Sequence, residues 1–344
     1  MLTYILKRIA LMIPTLIGAL TITFIVVQFV PGGPIEQMLA EARDGGGGDT
    51  GGYRAGKDTD AKQVAELKAL YGFDKPAHER YIDMMVNFAR FDLGRSFMHN
   101  KDVWQLIKEK LPVSMSLGLW SFLLAYLISV PLGIAKARRE GSRFDTATTM
   151  LVLIGYAIPG FVLGILLIVL FAGGTFWDVF PLRGLTSDNW EELSWWGRVK
   201  DYFWHLALPL TCLVIHSFAV ITILTKNTFV EEIRKQYVLV ARAKGLSQRS
   251  VLYRHIFRNA LLPLITHFPA AFIGAFFSGS VLIETLFSLD GMGLLGYEAV
   301  VRRDFPVVLG SLYFFTLIAI VTKLISDILY RVVDPRVQFG SVSK

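Results

Sequence analysis

The chain has 344 residues, 53% of them hydrophobic and only 18% charged; a soluble domain carries roughly 25% charged residues, so this composition belongs to a membrane. Its single cysteine, Cys212, excludes an intramolecular disulfide framework and reads as a small buried hydrophobe. The net charge of +7 would suit a nucleic-acid partner, but its distribution along the chain assigns it to topology instead.

Six apolar segments, near 9–30, 114–135, 147–172, 205–226, 262–286 and 307–330, are each long enough to cross a bilayer, which takes about 20 residues. Lys7 and Arg8 precede the first. Its apolar run exceeds a signal-peptide core, and Val30-Pro31-Gly32-Gly33-Pro34 is no cleavage site, so it reads as a retained span. Pro14, Pro131, Pro159 and Pro209 fall inside spans, where neighbouring helices can satisfy the freed backbone groups. Gly160 and Gly164 form a GxxxG pair suited to close helix packing.

Residues 31–110 form the longest polar segment, with twelve Lys/Arg against thirteen Asp/Glu. A flexible tract, DGGGGDTGG, leads to a helical pattern over 61–70 and a second helix opened by Pro76. Within it, GGYRAGKD (51–58) imitates a phosphate-binding loop but is one residue short. Asp58 stands where the magnesium-binding hydroxyl belongs, and no apolar strand precedes it. ATP, if it drives this protein, must be bound by a partner.

The short segment after the second span carries Lys136, Arg138, Arg139 and Arg143 against Glu140, and residues 226–258 carry eight Lys/Arg against Glu231 and Glu232. The tail from Arg331 is basic too, whereas 173–203 is acidic and 291–306 balances. Positive charge in short loops marks the cytoplasmic side, so the pattern predicts six spans with both termini cytoplasmic and no nucleic-acid role. Trp177, Trp190, Trp195, Trp196 and Trp204 cluster about the 173–203 segment, as an outer interfacial belt requires.

Candidate chemistry is sparse. The histidines (His78, His99, His205, His216, His255 and His267) form no HExxH pattern, and no GxSxG occurs. His205 and His216 are eleven residues apart, three helical turns, too far for one metal. Charges inside spans are costly and therefore informative. Glu284 lies near the outer end of the fifth segment, where it could reach interfacial water, a partner span or passing substrate. Lys323 and Asp327 are four apart and placed to pair with each other.

The stretch ARAKGLSQRSVLYRHIFRNALLP (241–263) carries five basic residues and no acidic one. Over 229–244 the apolar positions Ile233, Tyr237, Val240 and Ala241 give an amphipathic helix. Gly245 stands where a left-handed residue ends a helix, with Leu246 placed to fold back on Val240 or Ala241. Ser247 can cap a second helix bearing Val251, Leu252, Ile256 and Phe257, before Leu262-Pro263 leads back into the membrane. The residues alone leave two readings open, a docking elbow and a helix lying on the membrane surface.

This stretch resembles the EAA loop of ABC importer permeases, in Ala241, Ala243, Gly245 and the downstream Leu262-Pro263. The wording is that of the oligopeptide and dipeptide branch. The resemblance runs through YGFDKPAHERY (71–81), FDLGRSF (91–97), LPVSMSLGL (111–119), IPGFVLGILL (158–167), HLALP (205–209), LIETLFSLDGMGLLGYEAVVRRDFPVVLGSL (282–312) and DPR (334–336). The Gly-rich insert and SLDGMGLLGYEA are most similar to the B-type permease of Yej-type importers of peptides and microcin C-like antibiotics. One departure is Asp290, where the branch usually has proline before the glycine.

The resemblance implies an all-α, type I ABC importer permease fold with an extracytoplasmic insert after the first helix. Its parts would be the N-terminus and first span (1–30), a periplasmic insert (31–110), a permease core (111–330) containing the coupling loop (229–260), and a cytoplasmic tail (331–344). It implies a non-enzymatic inner-membrane subunit moving peptides or peptide-like compounds, paired with a second homologous permease, two ABC ATPase domains and a periplasmic peptide-binding protein. ATP and magnesium would be held by the ATPases, and this chain would bind no cofactor. The coupling residues implied are Ala241, Arg242, Ala243, Gly245, Leu246, Ser247, Arg249, Val251, Arg254, His255 and Arg258. An importer of another small solute, such as nickel or an oligosaccharide, is the alternative. A stand-alone secondary transporter would leave the docking loop unexplained, and an intramembrane enzyme lacks a catalytic pair.

Overall fold

The computed structural model describes residues 2–29, 75–174, 176–277 and 281–333. The Gly-rich tract, the GGYRAGKD stretch, the 61–70 helix, the tail beyond Val333 and the side chain of His267 lie outside the described residues. Among the described residues every regular element is a helix, apart from one isolated antiparallel bridge between Arg95 and Asp102.

In chain order these are α1 (Leu2–Phe29), α2 (Ala77–Ala89), α3 (Val103–Arg138), α4 (Arg143–Ala157), α5 (Gly160–Phe171), α6 (Trp195–Ile233) and α7 (Gln236–Ala243). Then come α8 (Phe257–Phe277, continuous with the turns before it), α9 (Val281–Leu286), α10 (Met292–Val301) and α11 (Phe305–Val333). Four stretches, Arg8–Phe29, Val103–Arg138, Trp195–Ile233 and Phe305–Ile328, are long and apolar enough to cross a membrane, and the α4–α5 pair adds a fifth if it is one broken span. At 39 residues, α6 is about 58 Å long, against a hydrocarbon layer of about 30 Å. It is therefore longer than a single crossing needs.

The third expected span, 147–172, is not one straight helix. It breaks at Ile158-Pro159 and turns by 93°. Proline disfavours helical geometry in the residue before it, and Ile158 is extended (φ −83°, ψ 119°) while Pro159 starts α5. Pro112, Pro131 and Pro209 lie inside continuous helices.

The chain divides into two compact units: Met1–Lys110 with Leu295–Ile320, and Leu111–Leu294 with Val321–Lys344. In the first, Tyr81 of α2 meets Phe24 edge-on and shares a 2.7 Å hydrogen bond with Thr21. Phe88 packs on Tyr313 and Trp104 on Phe314. Gly310 is needed because a Cβ there would sit 2.8 Å from Val103.

This unit also gives two of the sequence stretches a physical reason. Asp304 is buried and accepts hydrogen bonds from Ser96 Oγ (2.5 Å), Phe97 N (3.1 Å) and Met98 N (3.3 Å). FDLGRSF therefore ends in amides and a hydroxyl that need a carboxylate, and RRDFP supplies it.

In the second unit, Leu206, Leu210, Cys212, Ile283, Phe287 and Leu289 form an apolar core, with Cys212 buried as expected. The GxxxG pair works within the chain. A Cβ on Gly160 would press the Cys212 carbonyl at 3.1 Å, and one on Gly164 would lie 2.6 Å from Leu286. His216 stacks on Tyr156, and the ring Nδ1 of His205 lies 2.9 Å from the Asp201 carbonyl.

Candidate coupling site

The basic stretch folds as an elbow. α7 ends at Lys244, and Gly245 takes φ +80°, a conformation that costs an L side chain about 1–2 kcal/mol. Gly245 N donates to the Arg242 carbonyl (2.9 Å) and Leu246 N to the Ala241 carbonyl (3.3 Å). That bond pair defines a Schellman cap and satisfies carbonyls the helix end leaves open. Ser247 then starts the next helix, its Oγ accepting from Ser250 N at 3.3 Å.

Beyond this cap the structure departs from two short, separate helices. Gln248–Ser250 runs into a π-helical stretch, Val251–Ile256, where the Phe257 N–H reaches back to the Leu252 carbonyl, and then straight into α8. The second arm of the elbow is thus the start of the long α8 helix. Wide turns of this kind are frequent at functional sites.

The first arm also differs from the sequence reading. Residues 229–233 belong to α6, and the chain breaks at Arg234-Lys235, where Lys235 is extended (ψ 149°). The break resets the helical phase. Val238 and Ala241 face inward, whereas Val240 is exposed. Leu246 contributes its backbone bond, but its side chain is also largely exposed.

The elbow is seated on an apolar cluster in which Ala137 of α3 and Phe229 of α6 meet Val238, Ala241, Val251, Leu252 and Ile256. Polar contacts lock the α6–α7 corner. Glu232 accepts a 2.7 Å hydrogen bond from the Tyr237 hydroxyl and pairs with Lys235, and Arg234 pairs with Glu140 at 2.9 Å. The bond to Glu232 raises the pKa of Lys235, and burial followed by that same carboxylate raises the Tyr237 phenol.

Facing away from this seat, Arg242, Ala243, Arg249, Arg254 and Arg258 are exposed together with Leu239 and Tyr253, while His255 is half-buried. A cavity of about 320 Å³ lies beside the elbow, edged by Arg138, Arg139 and Arg242 and floored by Ala137, Val251 and Leu252. Arginine beside apolar and aromatic surface is the composition of a protein-docking patch.

Beneath the elbow lies a cluster the sequence reading missed. In sequence Lys136 reads as a loop charge, yet it is 1% exposed and lies in the last turn of α3. Its ammonium donates to the Asp145 carbonyl (2.9 Å), Thr148 Oγ1 (2.8 Å) and Thr149 Oγ1 (2.7 Å), and stands 3.1 Å from Asp145 Oδ1. Lys226 of α6 pairs with Asp145 Oδ2 at 2.7 Å, and Gly141 N donates to the same oxygen. The one sequence signal was the S-x-x-D run of Ser142 and Asp145. Ser142 does cap α4.

The three intramembrane candidates separate. Glu284 is fully buried, and its carboxylate receives Leu294 N at 2.7 Å and Ser114 Oγ at 3.4 Å, capping the first turn of α10. Gly291 is obligatory beside it, since a Cβ would lie 2.7 Å from the carboxylate. Lys323 and Asp327 stand 3.8 Å apart, with Lys323 64% exposed, as a pair on one helix face. Among the described residues no group of His, Cys, Asp and Glu could hold a metal ion.

Long apolar helices carrying a capped, basic elbow are those of a multi-pass membrane protein. The chain belongs to the family of binding-protein-dependent transport system inner membrane components, whose model matches residues 129–339. It is therefore a permease subunit of the inner membrane and not itself an enzyme. It is 53% identical to the peptidoglycan transport system permease protein YejB of Agrobacterium fabrum and 50% identical to the inner membrane ABC transporter permease protein YejB of Escherichia coli O157:H7, over 98% of both chains in each case. The di/tripeptide transport system permease protein DppB of Pseudomonas aeruginosa is 33% identical over 98% of this chain and 99% of its own.

Proposed function

We propose that this chain is the permease through which an ATP-driven importer moves peptides or peptide-like compounds across the inner membrane, and that the 229–260 loop is its connection to the ATPase. The observation that carries the reading is the elbow itself. It has a stiff Schellman turn at Gly245, an apolar underside anchored to α3 and α6, and an outward face of arginines beside Leu239 and Tyr253. A helix lying on a membrane would turn its main apolar face to the lipid; here Val238, Ala241, Val251, Leu252 and Ile256 pack on the chain's own helices, and the exposed Leu239 and Tyr253 lie among arginines.

In this reading six spans place both termini in the cytoplasm, with the α4–α5 pair as one broken span and the 262–286 segment as the fifth span. Residues 31–110 form the periplasmic insert. A second, homologous permease completes the pathway, and a periplasmic binding protein delivers the substrate. Two ATPase domains hold ATP and magnesium and engage the loop through Arg242, Ala243, Gly245, Leu246, Ser247, Arg249, Arg254, His255 and Arg258, while Ala241 and Val251 act from beneath by seating it. Closure of the ATPases would move the elbow as a rigid body and switch the pathway.

The peptide assignment is supported by relatives named for dipeptide, tripeptide and oligopeptide transport. The peptidoglycan named for the Agrobacterium relative favours a second reading, cell-wall fragments that carry short peptides. Uptake of a labelled peptide library and of peptidoglycan fragments into vesicles holding the complete complex tests both. Binding-protein-dependent, ATP-dependent uptake of peptides supports the first reading, uptake of fragments alone supports the second, and uptake of neither overturns both.

A further inference from the structure

We infer that Asp145 is a positioning residue for transport, the anionic centre of a buried latch through which movement of the coupling loop reaches the bent α4–α5 pair. The inference rests on the coupling role proposed above for that loop.

Burying such a cluster is costly. One ammonium group and one carboxylate, those of Lys136 and Asp145, stand almost wholly out of water, and the partly buried Lys226 adds a second ammonium group. Well-packed apolar side chains would usually hold three helix ends together at least as firmly as a buried ion pair. What a charged cluster adds is directionality, because its bonds form in one geometry and break outside it.

That geometry selects α4. The Lys136 ammonium is committed to residues 145, 148 and 149, the first turns of α4, so the end of α3 grips α4. Lys226 grips the same carboxylate from α6. Two helical turns further on, α6 ends at Ile233 and passes into the elbow through the corner that Glu232, Lys235 and Tyr237 lock. A displacement of the elbow thus has a continuous path through α6, Lys226 and Asp145 to α4. There it meets a helix already broken at Ile158-Pro159, so a movement of α4 is not carried into α5 as one rigid rod. Asp145 touches no described part of the outward docking face, so it acts through the helices it joins.

The test uses the complete complex in nanodiscs, comparing wild type with Asp145→Asn and Lys226→Met. Three quantities are read: ATPase retained after purification, ATP hydrolysed, and substrate imported in matched vesicles. The latch predicts retained ATPase and about a tenfold rise in ATP hydrolysed per molecule imported for each variant, within the usual range of coupling between sites. The double variant should be no worse than either single one, because both remove one linkage. A merely structural role would lower hydrolysis and import together and leave their ratio unchanged. A wild-type ratio in Asp145→Asn complexes that keep their ATPase overturns the latch. Failure of wild-type complexes to retain ATPase would instead overturn the coupling role of the loop.

Discussion

Leu294 N lies 2.7 Å from Glu284 Oε2, so a carboxylate on the short helix α9 closes the first turn of α10. The acid sits at a helix N-terminus, where orphan amides and the helix dipole both favour a negative charge. Its burial, which in a transporter suggests a role in the pathway, is accounted for by this bond and by Ser114.

Glu284→Ala should therefore destabilise the protein by about 1–3 kcal/mol, the cost of leaving buried donors unsatisfied. Glu284→Gln, which keeps an acceptor, should cost less. Gly291→Ala should destabilise to a similar degree by overpacking the carboxylate, about 1–3 kcal/mol. Thermal unfolding of the purified complex checks all three. Glu284→Ala with wild-type stability but no import would return this acid to the pathway.

Asp304 makes a comparable anchor in the other unit, with bonds to Ser96, Phe97 and Met98. Asp304→Ala should raise amide hydrogen exchange at Phe97 and Met98 by about tenfold or more, the equivalent of ~1.4 kcal/mol of lost protection. Exchange at the Tyr237 corner should stay unchanged. Equal protection of Phe97 and Met98 in the variant would refute the anchor.

The bend between α4 and α5 depends on Pro159. Pro159→Ala restores a backbone N–H and frees Ile158 from the pre-proline restriction, so straighter states become accessible. Spin labels on the exposed positions 151 and 166 should report a longer distance in the variant than in the parent. An unchanged distance distribution would show that packing of Gly160 and Gly164, and not proline, sets the angle.

Much of the elbow was legible because its signals are local. A glycine at a helix end, a serine two residues later and apolar residues at 251, 252 and 256 determine a cap and a face whatever surrounds them. The break at Lys235 was not legible. Neither proline nor glycine marks it, and a periodicity read across it put Val240 on the face that Val238 occupies. Pro159 and Pro209 look alike in sequence, yet one ends a helix and the other is absorbed within α6. Lys136 was hidden for a different reason. A lysine in a basic loop reads as solvated, and its partners lie 9 and more residues away on a helix whose approach only the tertiary fold creates.

If the Gly245 elbow transmits ATP hydrolysis to the pathway, Gly245→Val should separate the two. Valine disfavours the left-handed turn by about 1–2 kcal/mol and meets no side chain there, since a Cβ at 245 has open space around it. The measurement is substrate imported per ATP hydrolysed by the complete complex in vesicles. The variant should assemble and hydrolyse ATP while import falls by about tenfold or more. Wild-type import per ATP in that variant would contradict it.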